Sequence, residues 1–86
     1  MFIKLCDSGY VNIHKVTYFD IDTDIKSYSN APEGTYASVD VYFENDSTRA
    51  GYWLKEKEYY DFIQQLEQYR ISVPIGSWRT NSDEIL

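Results

Sequence analysis

The chain has one cysteine, Cys6, and one histidine, His14. A single thiol closes no intramolecular disulfide and leans toward a reducing compartment. A Cys–His pair would need the two residues to meet. In a hairpin turning at Asp7 to Gly9, Cys6 lies opposite Tyr10 or Val11 and His14 lies nearer Phe2, so they stay apart. Cys6 then reads as a small, half-buried strand residue. A Ser-His-Asp site would have to use His14, and nothing around it resembles a nucleophile elbow. The four glycines, Gly9, Gly34, Gly51 and Gly76, are scattered, so no Gly-rich phosphate loop exists. No apolar run approaches the ~20 residues of a spanning helix. Met1 to Asp7 lacks the basic start and long apolar centre of a signal peptide. These absences predict a non-enzymatic, soluble, cytoplasmic protein without a cofactor.

Bases are scarce where acids are dense. Between residues 20 and 46, Asp20, Asp22, Asp24, Glu33, Asp40, Glu44 and Asp46 face Lys26 alone, and this block carries the whole formal charge of −6. Nucleic acid and anionic membrane both require Lys and Arg, so direct binding of either is not expected. An acidic block fits a basic partner or a solubilising surface. Asp20-Ile21-Asp22-Thr23-Asp24 begins like a Ca²⁺-binding EF-hand loop. The sixth position, where the loop needs Gly, holds Ile25, and the twelfth, where it needs Glu, holds Ala31. On a strand the three carboxylates share a face and can attract a cation, or they form a solvated strand end. No metal site is expected.

Tyrosine is abundant. Nine Tyr, four Phe and two Trp stand among 86 residues. One domain of this length has a single modest core, and large rings help to close it. Tyr is also favoured at interfaces.

The patterning predicts an α+β domain over residues 1–86: sheet in 1–54, helix in 55–70 and an irregular tail in 71–86. Phe2 to Cys6 and Tyr10 to Ile13 alternate, with Ile3, Leu5, Val11 and Ile13 inward. His14 and Lys15 read as a bulge or bend. Val16 to Ile21 has apolar groups on both faces, which suits a central strand. Asp22 to Gly34 has loop chemistry. Thr35 to Glu44 alternates without a break, with Ala37, Val39, Val41 and Phe43 on one face and Tyr36, Ser38, Asp40, Tyr42 and Glu44 on the other. Thr48 to Leu54 returns after a polar turn, with Ala50, Tyr52 and Leu54 inward and Arg49, Gly51 and Trp53 outward.

In Lys55 to Arg70, Tyr59, Phe62, Ile63, Leu66 and Tyr69 form one helical stripe, and Lys57, Glu58, Asp61, Gln64, Gln65 and Gln68 form the wet side. No Ser, Thr, Asp or Asn stands at the expected N-cap. Pro74 restricts the tail to a sheet edge, Trp78 is large enough to anchor it, and Asn81 to Leu86 is expected to fray. The order is β-β-β-β-α: an antiparallel sheet of three or four strands with the helix across one face.

The other sheet face is then open, or covered by the loop, the tail or a partner. It carries Tyr36, Asp40, Tyr42 and Glu44 from one strand and Arg49 and Trp53 from the next, and Asp20, Asp22 and Asp24 extend the acidity if the strand holding them lies alongside. Aromatics among acids suit a protein-binding patch.

In length, in the acids Asp20, Asp22, Asp24, Asp40 and Glu44, and in Tyr36 and Tyr42, the chain resembles in type the small acidic anti-CRISPR and DNA-mimic proteins of phages. The resemblance rests on no shared motif. It implies a stoichiometric inhibitor acting in the host cytoplasm on a nucleic-acid-binding surface of a larger protein, such as a defence complex. Two alternatives stand beside it: a bacterial accessory subunit that self-associates, for example as a homodimer, through the open sheet face, and a domain that binds a small ligand such as a sugar on Tyr and Trp rings.

Overall fold

In the computed structural model, which describes residues 1–7, 9–44 and 49–76, the strands are β1 (Phe2–Cys6), β2 (Gly9–Asn12), β3 (Val16–Asp22), β4 (Ala37–Phe43), β5 (Arg49–Leu54) and β6 (Ile75–Gly76). One helix, α1 (Glu56–Gln68), lies between β5 and β6. The fold is α+β, with a four-stranded mixed sheet ordered β5-β4-β3-β6 and a separate two-stranded sheet, β1-β2.

The alternation of β3, β4 and β5 sets the layers. Phe19 pairs with Val41, Ile21 with Val39 and Ala37 with Leu54 across antiparallel ladders, and all six side chains are buried. Phe62 and Leu66 of α1 press onto this face, with Phe62 meeting Phe19 edge-on at 5.2 Å. Ile3, Leu5, Val11 and Ile13 of the first hairpin complete the same core. Helix and hairpin therefore share the inner layer, and the opposite sheet face carries neither.

Two details differ from the reading of the sequence. The hairpin β1-β2 does not extend the main sheet. Its turn into β3 is a 3-10 segment, Ile13–Lys15, with Asn12 accepting from the His14 N–H at 3.2 Å. The sheet is also mixed rather than wholly antiparallel, because β6 joins β3 in parallel. The end of α1 makes this possible. Arg70 takes φ 52°, its N–H returns to the Glu67 carbonyl at 3.2 Å, and the Ile71 N–H returns to the Leu66 carbonyl at 2.9 Å. That is a Schellman stop with arginine at a position glycine usually holds. It turns the chain back across the core, where Phe19 N–H donates to the Pro74 carbonyl at 3.0 Å. Pro74 thus sits at an edge, where a residue without an N–H is tolerated. Trp78 and Asn81 to Leu86 lie outside the described residues.

The helix starts at Glu56 without a short polar cap. Glu58 reaches back instead and accepts from the Lys55 N–H at 2.8 Å, and from the Asp7 N–H at 3.3 Å. Gln65 lies across the free edge of β1: its Oε1 accepts from the Lys4 N–H at 3.1 Å and its Nε2 donates to the Lys4 carbonyl at 2.8 Å. Glu58 and Gln65 are therefore half-buried seams between elements, not members of a purely wet helix face.

Candidate functional site

The outer sheet face is built in three cross-strand rows. Tyr18, Tyr42 and Arg49 form the first, Asp20, Asp40 and Gly51 the second, and Asp22, Ser38 and Trp53 the third. The residues of a row share a face because antiparallel partners stand opposite one another. Gly76 of β6 lies beside Asp20 on the other side.

The middle row sets two carboxylates directly opposite each other between two glycines. Like charges in this position oppose folding. Burial, then Asp40, then Asp22 push the Asp20 carboxyl above its ordinary 3.8, against a smaller lowering by Arg49. Among the described residues of the three rows, Arg49 is the base. Its Nη1 is 3.6 Å from Asp40 Oδ2 and donates to Tyr42 Oη at 3.3 Å. A Cβ on Gly51 would lie 3.0 Å from Asp40 Oδ1, and one on Gly76 would collide with the Tyr18 phenol. Glycine at both sites therefore leaves room for what already stands there.

The first row is aromatic at its centre. The rings of Tyr18 and Tyr42 lie 5.6 Å apart. The third row is roofed by the long loop. After a 3-10 segment at Ile25–Ser27, Tyr28 folds back so that its ring meets Trp53 at 5.5 Å and 78°. Its hydroxyl donates to Asp22 Oδ2 at 2.9 Å. Between this corner and Asp40 opens a cavity of about 260 Å³, lined by Tyr28, Ser38, Asp40, Arg49, Gly51 and Trp53 together with Asn30 and Tyr52.

The structure brings Asp20, Asp40, Tyr42 and Trp53 together on one face. Glu44 is exposed just past the end of β4, where its N–H holds the Lys15 carbonyl at 2.8 Å. Asp22 belongs to the face by register but is only 5 % exposed, and its other oxygen accepts the Asp24 N–H at 2.8 Å. Asp24 is exposed beyond the strand end. Among the described residues, no group of three or more His, Cys, Asp or Glu side chains is placed to hold a metal ion.

Tyr36 goes elsewhere. It precedes β4, and its ring lies 5.3 Å from Tyr59 and 5.6 Å from Tyr60 of α1, sharing a 3.0 Å hydrogen bond with the Tyr60 hydroxyl. The alternation of Thr35 to Glu44 assigned it outward, but that alternation holds only while the chain is strand. Tyr36 N–H still donates to the Leu54 carbonyl at 2.8 Å, beyond the last paired position, and the side chain is drawn to the helix that begins two residues after Leu54.

Tyr28 is the site residue that sequence reasoning missed. Its one signal is an aromatic side chain inside a stretch otherwise rich in Ser, Asn, Pro and Gly. Among the described residues, no helix is long and apolar enough to cross a membrane. No protein-family model, no curated protein and no solved structure matches the chain.

Proposed function

We propose that this protein is a small acidic binding module that docks the outer face of its four-stranded sheet on a basic surface of a larger protein. Its contacts are Asp20, Asp40, Tyr42 and Trp53, with Glu44 and Asp24 at the two ends. On this reading it is a stoichiometric inhibitor that displaces nucleic acid, acting as the phage anti-CRISPR proteins it resembles in type act on host defence complexes.

The observation that carries the reading is the facing pair Asp20 and Asp40 on a sheet face over which neither helix nor hairpin lies. Carboxylates opposed in a ladder weaken the fold by themselves. A cationic partner relieves that repulsion, so the face gains on binding what it loses alone. Tyr42 and Trp53 then supply flat rings beside the charges, the residue types that dominate binding energy at interfaces. Self-association through this face is disfavoured, because a two-fold contact would bring the same acidic rows together. The cavity beside Asp40 is also a poorer match to a sugar, since it falls below the roughly 300–1,000 Å³ of small-molecule pockets.

The test begins with proteins captured from a native lysate and eluted with salt, followed by competition. Nucleic acid should displace the protein from its partner. Asp40→Lys with Glu44→Lys should slow association and flatten its salt dependence, because charge sets encounter rate more than lifetime. Undiminished binding by the double variant at low salt, without competition from nucleic acid, would sink the proposal.

A further inference from the structure

Resting on the reading above, we propose that the cavity bounded by Tyr28, Trp53 and Asp40 receives one arginine side chain of the partner, and that Arg49 occupies its acidic floor in the unbound protein.

Four observations lead there. First, the cavity has two kinds of wall. Tyr28 and Trp53 meet at 78° to form an aromatic corner, and Asp40 lines the same cavity, two residues along β4 from Ser38, the cross-strand partner of Trp53. A planar cation satisfies both walls at once, by stacking on a ring and donating to oxygen. Second, the floor already holds a guanidinium. Arg49 touches Asp40 Oδ2 at 3.6 Å and Tyr42 Oη at 3.3 Å, yet its side chain is 60 % exposed. An ion pair so open and so long is worth little and exchanges readily. Third, Gly51 keeps Asp40 uncovered from the β5 side, since any side chain there would press on Oδ1. Fourth, the volume suits one long side chain rather than a cofactor. Lysine is the weaker fit. Its ammonium is a strongly hydrated point charge without a flat face to stack, whereas guanidinium presents five N–H donors in a plane.

The consequence is a preference among basic partners and an internal competitor. An incoming arginine must displace Arg49 from Asp40. Removing the Arg49 charge should therefore tighten binding by more than removing an equal charge outside the cavity. Lys26, exposed in the 3-10 segment of the same acidic block, is that control.

The experiment titrates the full chain with a hexa-arginine and a hexa-lysine peptide of equal charge. The Trp53 indole N–H resonance is the readout, assigned by its loss in Trp53→Phe. Hexa-arginine should bind about 3–30-fold more tightly, the range that stacking of a cation on Trp supports. Trp53→Leu should bring the two affinities together. Arg49→Met should strengthen hexa-arginine binding more than Lys26→Met does. Equal affinity of the unmodified protein for the two peptides, or equal gains from the two Met variants, overturns the arginine receptor while leaving the acidic face intact. Failure of both peptides to bind at low salt overturns the face as well. The comparison of peptides on the unmodified protein does not depend on any variant folding.

Discussion

A carboxylate at position 20 stands across the β3–β4 ladder from a second one at position 40. Burial first, then Asp40 and Asp22, raise the pKa of Asp20. The folded state therefore holds this proton more tightly than the unfolded chain does. The ionised group costs stability above its raised pKa, and the cost vanishes as pH falls below 3.8. Asp20→Asn should accordingly stabilise the fold at neutral pH by about 0.2–1 kcal/mol, the scale of a cross-strand like-charge pair. The gain should fade in acid, and binding to a basic partner should weaken. A denaturant titration at both pH values checks the first two. A variant less stable than the parent at neutral pH would show that the carboxylate holds the fold together.

Tyr36 has the opposite relation to its neighbours. Its hydrogen bond with Tyr60, then burial, then the nearby Tyr60, Glu56 and Tyr59 push its pKa from 10.0 up to about 12. Here too the folded state favours the protonated form, but that form is the one present at neutral pH. The stabilisation is complete below pH 10.0 and is lost as pH rises through about 12. Tyr60→Phe should bring the Tyr36 titration, followed by its ring carbon shifts in NMR, back toward 10.0. An unchanged titration would mean that the shared hydrogen bond does not protect the phenol.

At the scale of elements, seams matter as much as the hydrophobic stripe. Helix α1 is placed by Phe62 and Leu66, whose burial follows from their spacing. Its contact with the first hairpin depends on Gln65, which binds both backbone groups of Lys4 as a neighbouring strand would. This closes an edge that would otherwise be free to pair with another chain. Gln65→Ala should therefore cost about 1–3 kcal/mol, from two hydrogen bonds each worth roughly 0.5–1.5 kcal/mol net. Gln64→Ala, one position away and exposed, should stay within about 0.5 kcal/mol of the parent. Phe62→Ala should exceed both, at about 3–5 kcal/mol. Urea midpoints for the three variants give the order, and equal values for Gln64 and Gln65 would refute the seam. Helical period alone placed both glutamines on the wet side, because it describes one helix and not what that helix lies against.

Across the whole molecule, charge and layer coincide. The acidic block spans β3, the long loop and β4, and the two strands are neighbours at the middle of the sheet. Asp20 and Asp40, distant in sequence, thus meet on one surface, while the balanced remainder of the chain includes pairs such as Lys57–Asp61 at 3.3 Å on the helix. The sequence by itself determined the class and the sides. Alternation in β4 and β5 selected Val39, Val41 and Leu54 as core, and it left Asp40, Tyr42 and Trp53 opposite, because which face a side chain takes is a local property of the pleat. For β3, apolar on both faces, the core side was settled by the fold. Only the tertiary structure decided what closed around those sides. The hairpin went to the helix layer, β6 joined β3 in parallel, Tyr28 roofed Trp53 and buried Asp22, and Tyr36 turned to the helix. Each of these depends on contacts between segments distant in sequence, which a local repeat does not describe: a carboxylate for Tyr28, a phenol for Tyr36 and a strand edge for Pro74.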